Sequence, residues 1–175
     1  MSFLLEYLRK PQVIGAVAPS SRFLAAKMLK PVDFSKARTI VELGAGTGVF
    51  TKEIIKRMHR DAELHVFEIN PTFLPRLQAL EQDGVRVLDK PAEQLSMHVR
   101  RADVIISALP LMTFPDKTVN KILAEVKKSL KPGGQYIQFQ YGLKSKAVLE
   151  RHFSEVKLGF TPLNVPPAFV YHCKK

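Results

Sequence analysis

The stretch with the clearest chemistry is Glu42-Leu43-Gly44-Ala45-Gly46-Thr47-Gly48. Residues 38–43 before it read as a buried strand, and 48–59 after it read as a helix. Glycines let the backbone turn tightly and approach a ligand closely. A helix start behind them offers unpaired N–H groups to an anion. Two common phosphate loops are excluded by spacing: no Gly-Lys-Ser/Thr follows, and G-x-G-x-G is not the dinucleotide pattern G-x-G-x-x-G. Glu68 stands 20 residues after Gly48, at the end of a second apolar strand. An acidic side chain there can accept hydrogen bonds from ribose hydroxyls.

Other catalytic schemes find little support. The five histidines (59, 65, 98, 152 and 172) are scattered, and no His/Cys/Asp cluster has metal-ligand spacing. No metal is expected. Cys173 is the single cysteine, so no intramolecular disulfide can form. Nothing marks it as a nucleophile.

The elements that would position these groups alternate. Strands are expected at 38–43, 64–67, 85–88, 103–106, 136–141, 155–160 and 167–173. Helices are expected at 48–59, 71–82, 116–130 and 145–152. Lys131-Pro132-Gly133-Gly134 reads as a helix stop with a turn. The alternation implies βαβ units and a largely parallel sheet covered on both faces, with ligands at the carboxyl ends of the strands. A helical extension precedes this unit. Phe3, Leu4, Tyr7 and Leu8 recur at helical spacing until Pro11. After a Gly-Ala-Val-Ala-Pro-Ser-Ser loop at 15–21, a second helix runs over about 21–30, with Phe23, Leu24, Met28 and Leu29 on its apolar side. The chain thus divides into an amphipathic extension, 1–35, and a ligand-binding part, 36–175, within one structural domain.

Composition sets the partners. A chain of 175 residues can bury a real core, and no apolar run approaches the roughly 20 residues that span a bilayer. The first residues lack the order of a signal peptide, so a cytoplasmic location is expected. The net charge of +11 points to nucleic acid, an anionic membrane surface or an acidic substrate. Residues 1–38 alone carry a net +5.

On these motifs the chain resembles the class I S-adenosylmethionine-dependent methyltransferases. Glu42 to Gly48 matches their E/D-x-G-x-G-x-G motif, Glu68 their second-strand acid, and Leu130-Lys131-Pro132-Gly133-Gly134 their L-x-P-G-G turn. The resemblance covers about residues 36–141. It implies a Rossmann-like α/β fold whose seven-stranded sheet has its last strand antiparallel. It implies S-adenosylmethionine as cofactor and S-adenosylhomocysteine as product. Glu42 and the backbone of Gly44, Ala45, Gly46, Thr47 and Gly48 would face the methionine end, the 44–48 N–H groups meeting its carboxylate. Glu68 would hold the ribose, with Ile69 beside it. The family's acid after strand three falls on Pro91, which leaves Asp89, the Ala92 backbone and Glu93 for the adenine. Ser107 would close the cofactor site.

The acceptor is read from Ser107-Ala108-Leu109-Pro110-Leu111. The N/D-P-P-Y/F pattern of nucleobase methyltransferases is missing there. Five segments instead resemble, as a set, the small bacterial phospholipid N-methyltransferases: Gly15–Ser21, Gly44–Phe50, Ser107–Leu111, Gln138–Gly142 and Asn164–Ala168. The resemblance implies methylation of the amine of phosphatidylethanolamine and its methylated forms. The alternatives are an RNA methyltransferase of the ribosomal adenine type, a small-molecule methyltransferase, or a non-catalytic binding module. Tyr7, Tyr141 and Ser107 are the catalytic candidates, with Glu93 and His172 as further pocket groups. Ser20, Ser21, Arg22, Leu109 and Pro110 are the substrate-side candidates, Arg22 for a lipid phosphate. Asn164 reads as a structural brace of the late loop. The amphipathic first helix would rest on an anionic membrane, so a peripheral, monomeric protein is expected.

Overall fold

A computed structural model describes residues 22–164 and 166–175. The first expected helix, the loop at 15–21, and Tyr7, Ser20 and Ser21 lie outside the described residues. The chain begins with α1 (Arg22–Leu29) and continues through β1 (Thr39–Leu43), α2 (Val49–Ile55), β2 (Glu63–Phe67), α3 (Leu74–Gln78), β3 (Val85–Leu88) and α4 (Leu95–His98). It ends with β4 (Ala102–Ser107), α5 (Asp116–Ser129), β5 (Leu130–Gln140), α6 (Lys146–His152), β6 (Glu155–Thr161) and β7 (Ala168–Lys174). Short 3-10 turns sit at Ala92–Gln94 and Leu111–Thr113.

The sheet has seven strands in the order β3-β2-β1-β4-β5-β7-β6, and β7 alone runs antiparallel to its neighbours. This is the expected Rossmann-like architecture. Side chains alternate between two cores, because successive residues of a strand point to opposite faces. Val41, Leu43, Ile105, Tyr136 and Tyr171 join α5 on one face. Ile40, Val104, Ile106, Ile137 and Val170 join α1 and α2 on the other. Leu24, Met28 and Leu29 bury fully there, each worth about 1.5–3 kcal/mol.

Three expectations are corrected. Phe23, placed on the apolar side of α1, is exposed, since Ala25 takes the inward position instead. The helix expected over 71–82 shrinks to Leu74–Gln78: Asn70 Oδ1 accepts the Thr72 N–H in a local turn, and Pro75 sits at the helix start. The Pro132-Gly133-Gly134 turn does not separate helix from strand. Leu130 already pairs with Ala102, and residues 131–134 bulge out before Gln135 pairs with Val104. Gly133 takes the left-handed backbone this requires, at φ 72°.

At the amino edge, the Asp103 carboxylate accepts the N–H groups of Arg38 and Thr39, both at 2.8 Å, and pairs with Lys131. This pins the entry of β1 to that of β4, so that Leu43 and Ser107 end in register at the carboxyl edge.

Candidate active site

The glycine loop leaves β1 at that carboxyl edge. Gly44, Gly46 and Gly48 all take positive φ, at 72°, 54° and 78°. The surroundings of Gly44 and Gly46 differ. A Cβ on Gly44 would meet Leu109 Cδ2 at 2.8 Å, whereas one on Gly46 would project into open space. Gly44 is therefore required by packing against the segment after β4, and Gly46 borders room for a ligand. Gly48 closes the turn by donating its N–H to the Ala45 carbonyl at 3.0 Å. Ala45 is buried, and Thr47 is half-buried at the tip.

Glu42 and Glu68 stand on either side of this loop. Glu42 is fully buried on the face shared with α1 and α2. Its Oε2 accepts the Thr51 hydroxyl at 2.7 Å, while Oε1 is buried without a hydrogen-bond partner among the described residues. Burial pushes its carboxyl up to about 8, and the nearby Glu68 charge adds to the rise. Glu68 Oε2 accepts the Gly46 N–H at 2.8 Å, and its Oε1 accepts those of Ile69 and Asn70 at 2.9 and 2.8 Å. Burial raises its pKa too, against the pull of these three donors. Ile69 is buried and contributes its backbone. Asp89 is exposed beyond β3 and acts on Glu68 through its charge. Ala92 is buried and Glu93 half-buried in the following 3-10 turn.

The segment after β4 is held from beneath. Ser107 is fully buried, and its Oγ accepts the Leu109 N–H at 3.3 Å. The Leu109 carbonyl accepts two side-chain amides, Gln138 Nε2 at 3.0 Å and Gln140 Nε2 at 2.9 Å. Gln138 also accepts the Tyr136 hydroxyl at 2.6 Å. Leu109 is buried over Gly44, and half-buried Pro110 leads into the 3-10 turn.

The structure gathers the expected residues only in part. Glu42, the glycine loop, Glu68, Ile69, Ser107, Leu109 and Pro110 share the carboxyl edge of β1, β2 and β4. Ser107 and Tyr141 are not brought together by their side chains. Ser107 faces the Tyr136 hydroxyl, whereas Tyr141 packs edge-on against Phe139 at 5.6 Å, on the opposite face of the sheet. The Tyr141 hydroxyl is buried with no hydrogen-bond partner among the described residues. Arg22 opens α1. His172 lies within β7, its pKa lowered by burial and by the charge of Lys27. Asn164 Nδ2 donates to the Pro166 carbonyl at 2.7 Å, the bracing role expected of it. Among the described residues, no group of three or more His, Cys, Asp or Glu side chains could hold a metal ion.

Thr51, Gln138 and Gln140 carry much of this geometry. Thr51 goes unmarked in the sequence, and the glutamines stand inside the Gln138–Gly142 segment without a role assigned to them. The two glutamines did carry a signal, being polar residues two apart on one face of an otherwise apolar strand.

A methyltransferase-domain family matches residues 40–134. An ornithine lipid N-methyltransferase of Singulisphaera acidiphila is 32% identical over 98% of this chain and 94% of its own length. A demethylspheroidene O-methyltransferase of Rhodobacter capsulatus is 31% identical over 69% of this chain and 30% of its own. The N-methyltransferase NodS of Bradyrhizobium japonicum WM9, solved in complex with S-adenosyl-L-homocysteine, superposes with a TM-score of 0.72. That match covers 98% of this chain and 96% of the other at 16% identity, a likeness of fold.

Proposed function

Because the chain belongs to the S-adenosylmethionine-dependent methyltransferases, we propose that it methylates the amine of a membrane-lipid headgroup, phosphatidylethanolamine being the form that the resemblance to the phospholipid N-methyltransferases implies. The observation that carries this is the extent of the likeness to an ornithine lipid N-methyltransferase. It runs over nearly the whole chain, and so includes most of the acceptor-side elements beyond residue 134 that the domain family leaves out. Ornithine lipid and phosphatidylethanolamine share what the reaction needs, a primary amine tethered to acyl chains at a membrane surface. On this reading the protein works from the cytoplasm, peripherally bound to the membrane.

The residues present fit the cofactor. The buried Glu42 Oε1, without a hydrogen-bond partner among the described residues, suits the ammonium of its methionine part. Open space beside Gly46 leaves it room. A carboxylate has about four lone-pair sites, and Glu68 spends three on backbone donors, which leaves one for a ribose hydroxyl. When bound, S-adenosylmethionine supplies a methyl group already activated on a sulfonium.

The chain's own task is to align an acceptor lone pair and exclude water. An alkylamine such as that of lysine has a pKa of about 10.4, so it must lose a proton before it can attack. A desolvated pocket lowers that pKa. The ammonium gives that proton to water as it enters the pocket. The Tyr141 hydroxyl, which has no hydrogen-bond partner among the described residues, can then accept an amine N–H and orient the lone pair, with Ser107 holding the acceptor segment from the other face.

Transfer of radiolabelled methyl to liposomes containing phosphatidylethanolamine or ornithine lipid, run beside ribosomal RNA, tests the proposal. Label in the amine lipid supports it and counts the methyls added. Label confined to RNA overturns it.

A further inference from the structure

Building on the lipid-substrate reading, we propose that the carboxyl rim of the sheet docks onto an anionic phospholipid bilayer. Four apolar side chains stand exposed there: Met112 after β4 (39%), Leu143 after β5 (50%), Phe160 near the end of β6 (50%) and Leu163 in the β6–β7 connection (64%). They come from three separate connections. They share one edge because β4, β5 and β6 run the same way, so their carboxyl ends coincide. Met112 lies against the chain next to Leu143, its methyl carbon 3.0 Å from where a Cβ on Gly142 would stand. Phe160 packs on Phe169 with ring centroids 5.1 Å apart. The Tyr171 hydroxyl donates to the Gly142 carbonyl at 3.1 Å, tying β7 to the same rim.

Charge selects the partner. No acidic residue occurs between Glu125 and Glu150, or after Glu155. The connection that carries Leu143 therefore offers basic charge before any acid, with exposed Lys144 directly beside Leu143. The connection that carries Leu163 is uncharged. Glu155, at the far end of β6 from Phe160, is paired with Lys157 and Lys174. Asp116, at the start of α5, is the acidic residue nearest in sequence to Met112. Apolar insertion and attraction to anionic headgroups add, at about 1 kcal/mol for each basic residue near the surface. A nucleic-acid partner would use the lysines but not four exposed apolar side chains, because such interfaces are polar. The same edge carries Gly44 and Ser107 at the ends of β1 and β4, so docking by this rim brings headgroups to the mouth of the site.

The test is flotation of the full chain with vesicles of phosphatidylcholine and phosphatidylglycerol, which contain no amine acceptor. Met112→Ser, Leu143→Ser, Phe160→Ser and Leu163→Ser are combined in one variant. Met97→Ser is the control, an exposed residue on α4 near the amino edge. The rim variant should partition at least about tenfold less onto vesicles, with cofactor affinity unchanged, and the control should match the unmodified protein. Should the combined variant misfold, Leu143→Ser and Leu163→Ser alone, each expected to weaken binding two- to threefold, decide the matter. Equal flotation of rim and control variants, or no flotation of the unmodified protein, overturns the docking face. Methyl transfer to an amine lipid in detergent micelles tests the substrate reading separately, because micelles do not require docking on a bilayer. Rim-dependent flotation without such transfer supports the docking face and sinks only the substrate reading.

Discussion

The Glu68 carboxylate accepts the Gly46 N–H through Oε2 at 2.8 Å, so one side chain clasps the ends of β1 and β2. Its other oxygen takes the N–H groups of Ile69 and Asn70. All three partners only donate, and a carboxylate only accepts. Glu68→Gln must turn an NH2 toward one of these donors, so the amide is no conservative replacement. Both Glu68→Gln and Glu68→Ala should weaken S-adenosylmethionine binding by at least about tenfold, or 1.4 kcal/mol. Isothermal titration calorimetry decides, and a glutamine variant that binds as well as the unmodified protein removes Glu68 from the site.

Gly44 and Gly46 predict opposite profiles. Both sit at positive φ, which costs a residue bearing a Cβ about 1–2 kcal/mol. Gly44→Ala adds a collision with the Leu109 side chain at 2.8 Å, which must shift within its buried setting. Gly46→Ala meets nothing. Gly44→Ala should therefore lower Tm more than Gly46→Ala does. Gly46→Ala should lose cofactor affinity out of proportion to its small stability loss. Thermal melts alongside cofactor titrations separate the two, and equal Tm losses would mean that the Leu109 contact is not what requires glycine at 44.

The strands were legible because each is a short apolar run, and the parallel order followed from their alternation with helices. The glycine loop and Glu68 were legible because positive φ and close approach demand glycine, and because the acid ends an apolar strand. What escaped depends on long-range partners. Pro132-Gly133-Gly134 looks like a turn in isolation, but Leu130 finds Ala102 first and the glycines become a bulge inside β5. The 3-10 turn at Leu111–Thr113 lies within an apolar stretch too short to show helical periodicity. Thr51 pairs with Glu42 across nine residues, and Gln140 reaches Leu109 across 31, separations at which sequence spacing carries no signal.

Glu42 should make stability and cofactor binding depend on pH in opposite directions. Its native carboxyl holds a proton up to about pH 8, against 4.5 for an ordinary glutamate. A proton bound more tightly in the native state stabilises it at low pH. That contribution is complete below about pH 4.5 and is lost as pH rises through about 8. The Tm of the cofactor-free protein should fall across this window, and Glu42→Gln should flatten the fall. A cationic ammonium favours the ionised carboxylate, so S-adenosylmethionine binding at pH 7 should release a proton. Calorimetry in buffers of different ionisation enthalpy detects that proton. Its persistence in Glu42→Gln would assign it elsewhere.

Gln138 and Gln140 should control the rate of methyl transfer without touching the cofactor. Their amides converge on the Leu109 carbonyl at 3.0 and 2.9 Å, and the Leu109 side chain covers Gly44. The pair thus sets the height of the acceptor segment above the sheet. Gln140→Leu leaves the carbonyl one partner and should cost modest stability while lowering kcat. Gln138→Leu also removes the acceptor of the buried Tyr136 hydroxyl and leaves it only Ser107, so it should destabilise by about 0.5–1.5 kcal/mol more. Gln138→Glu sets an acceptor against the Leu109 carbonyl and should lower kcat at least as far as leucine does. In each variant the S-adenosylmethionine dissociation constant should stay within about twofold, because Glu42, Gly46 and Glu68 are undisturbed. Stopped-time methyl-transfer assays beside cofactor titrations measure the split. A fall in cofactor affinity that tracks the fall in kcat would show that the glutamines act through the glycine loop and not through the acceptor segment.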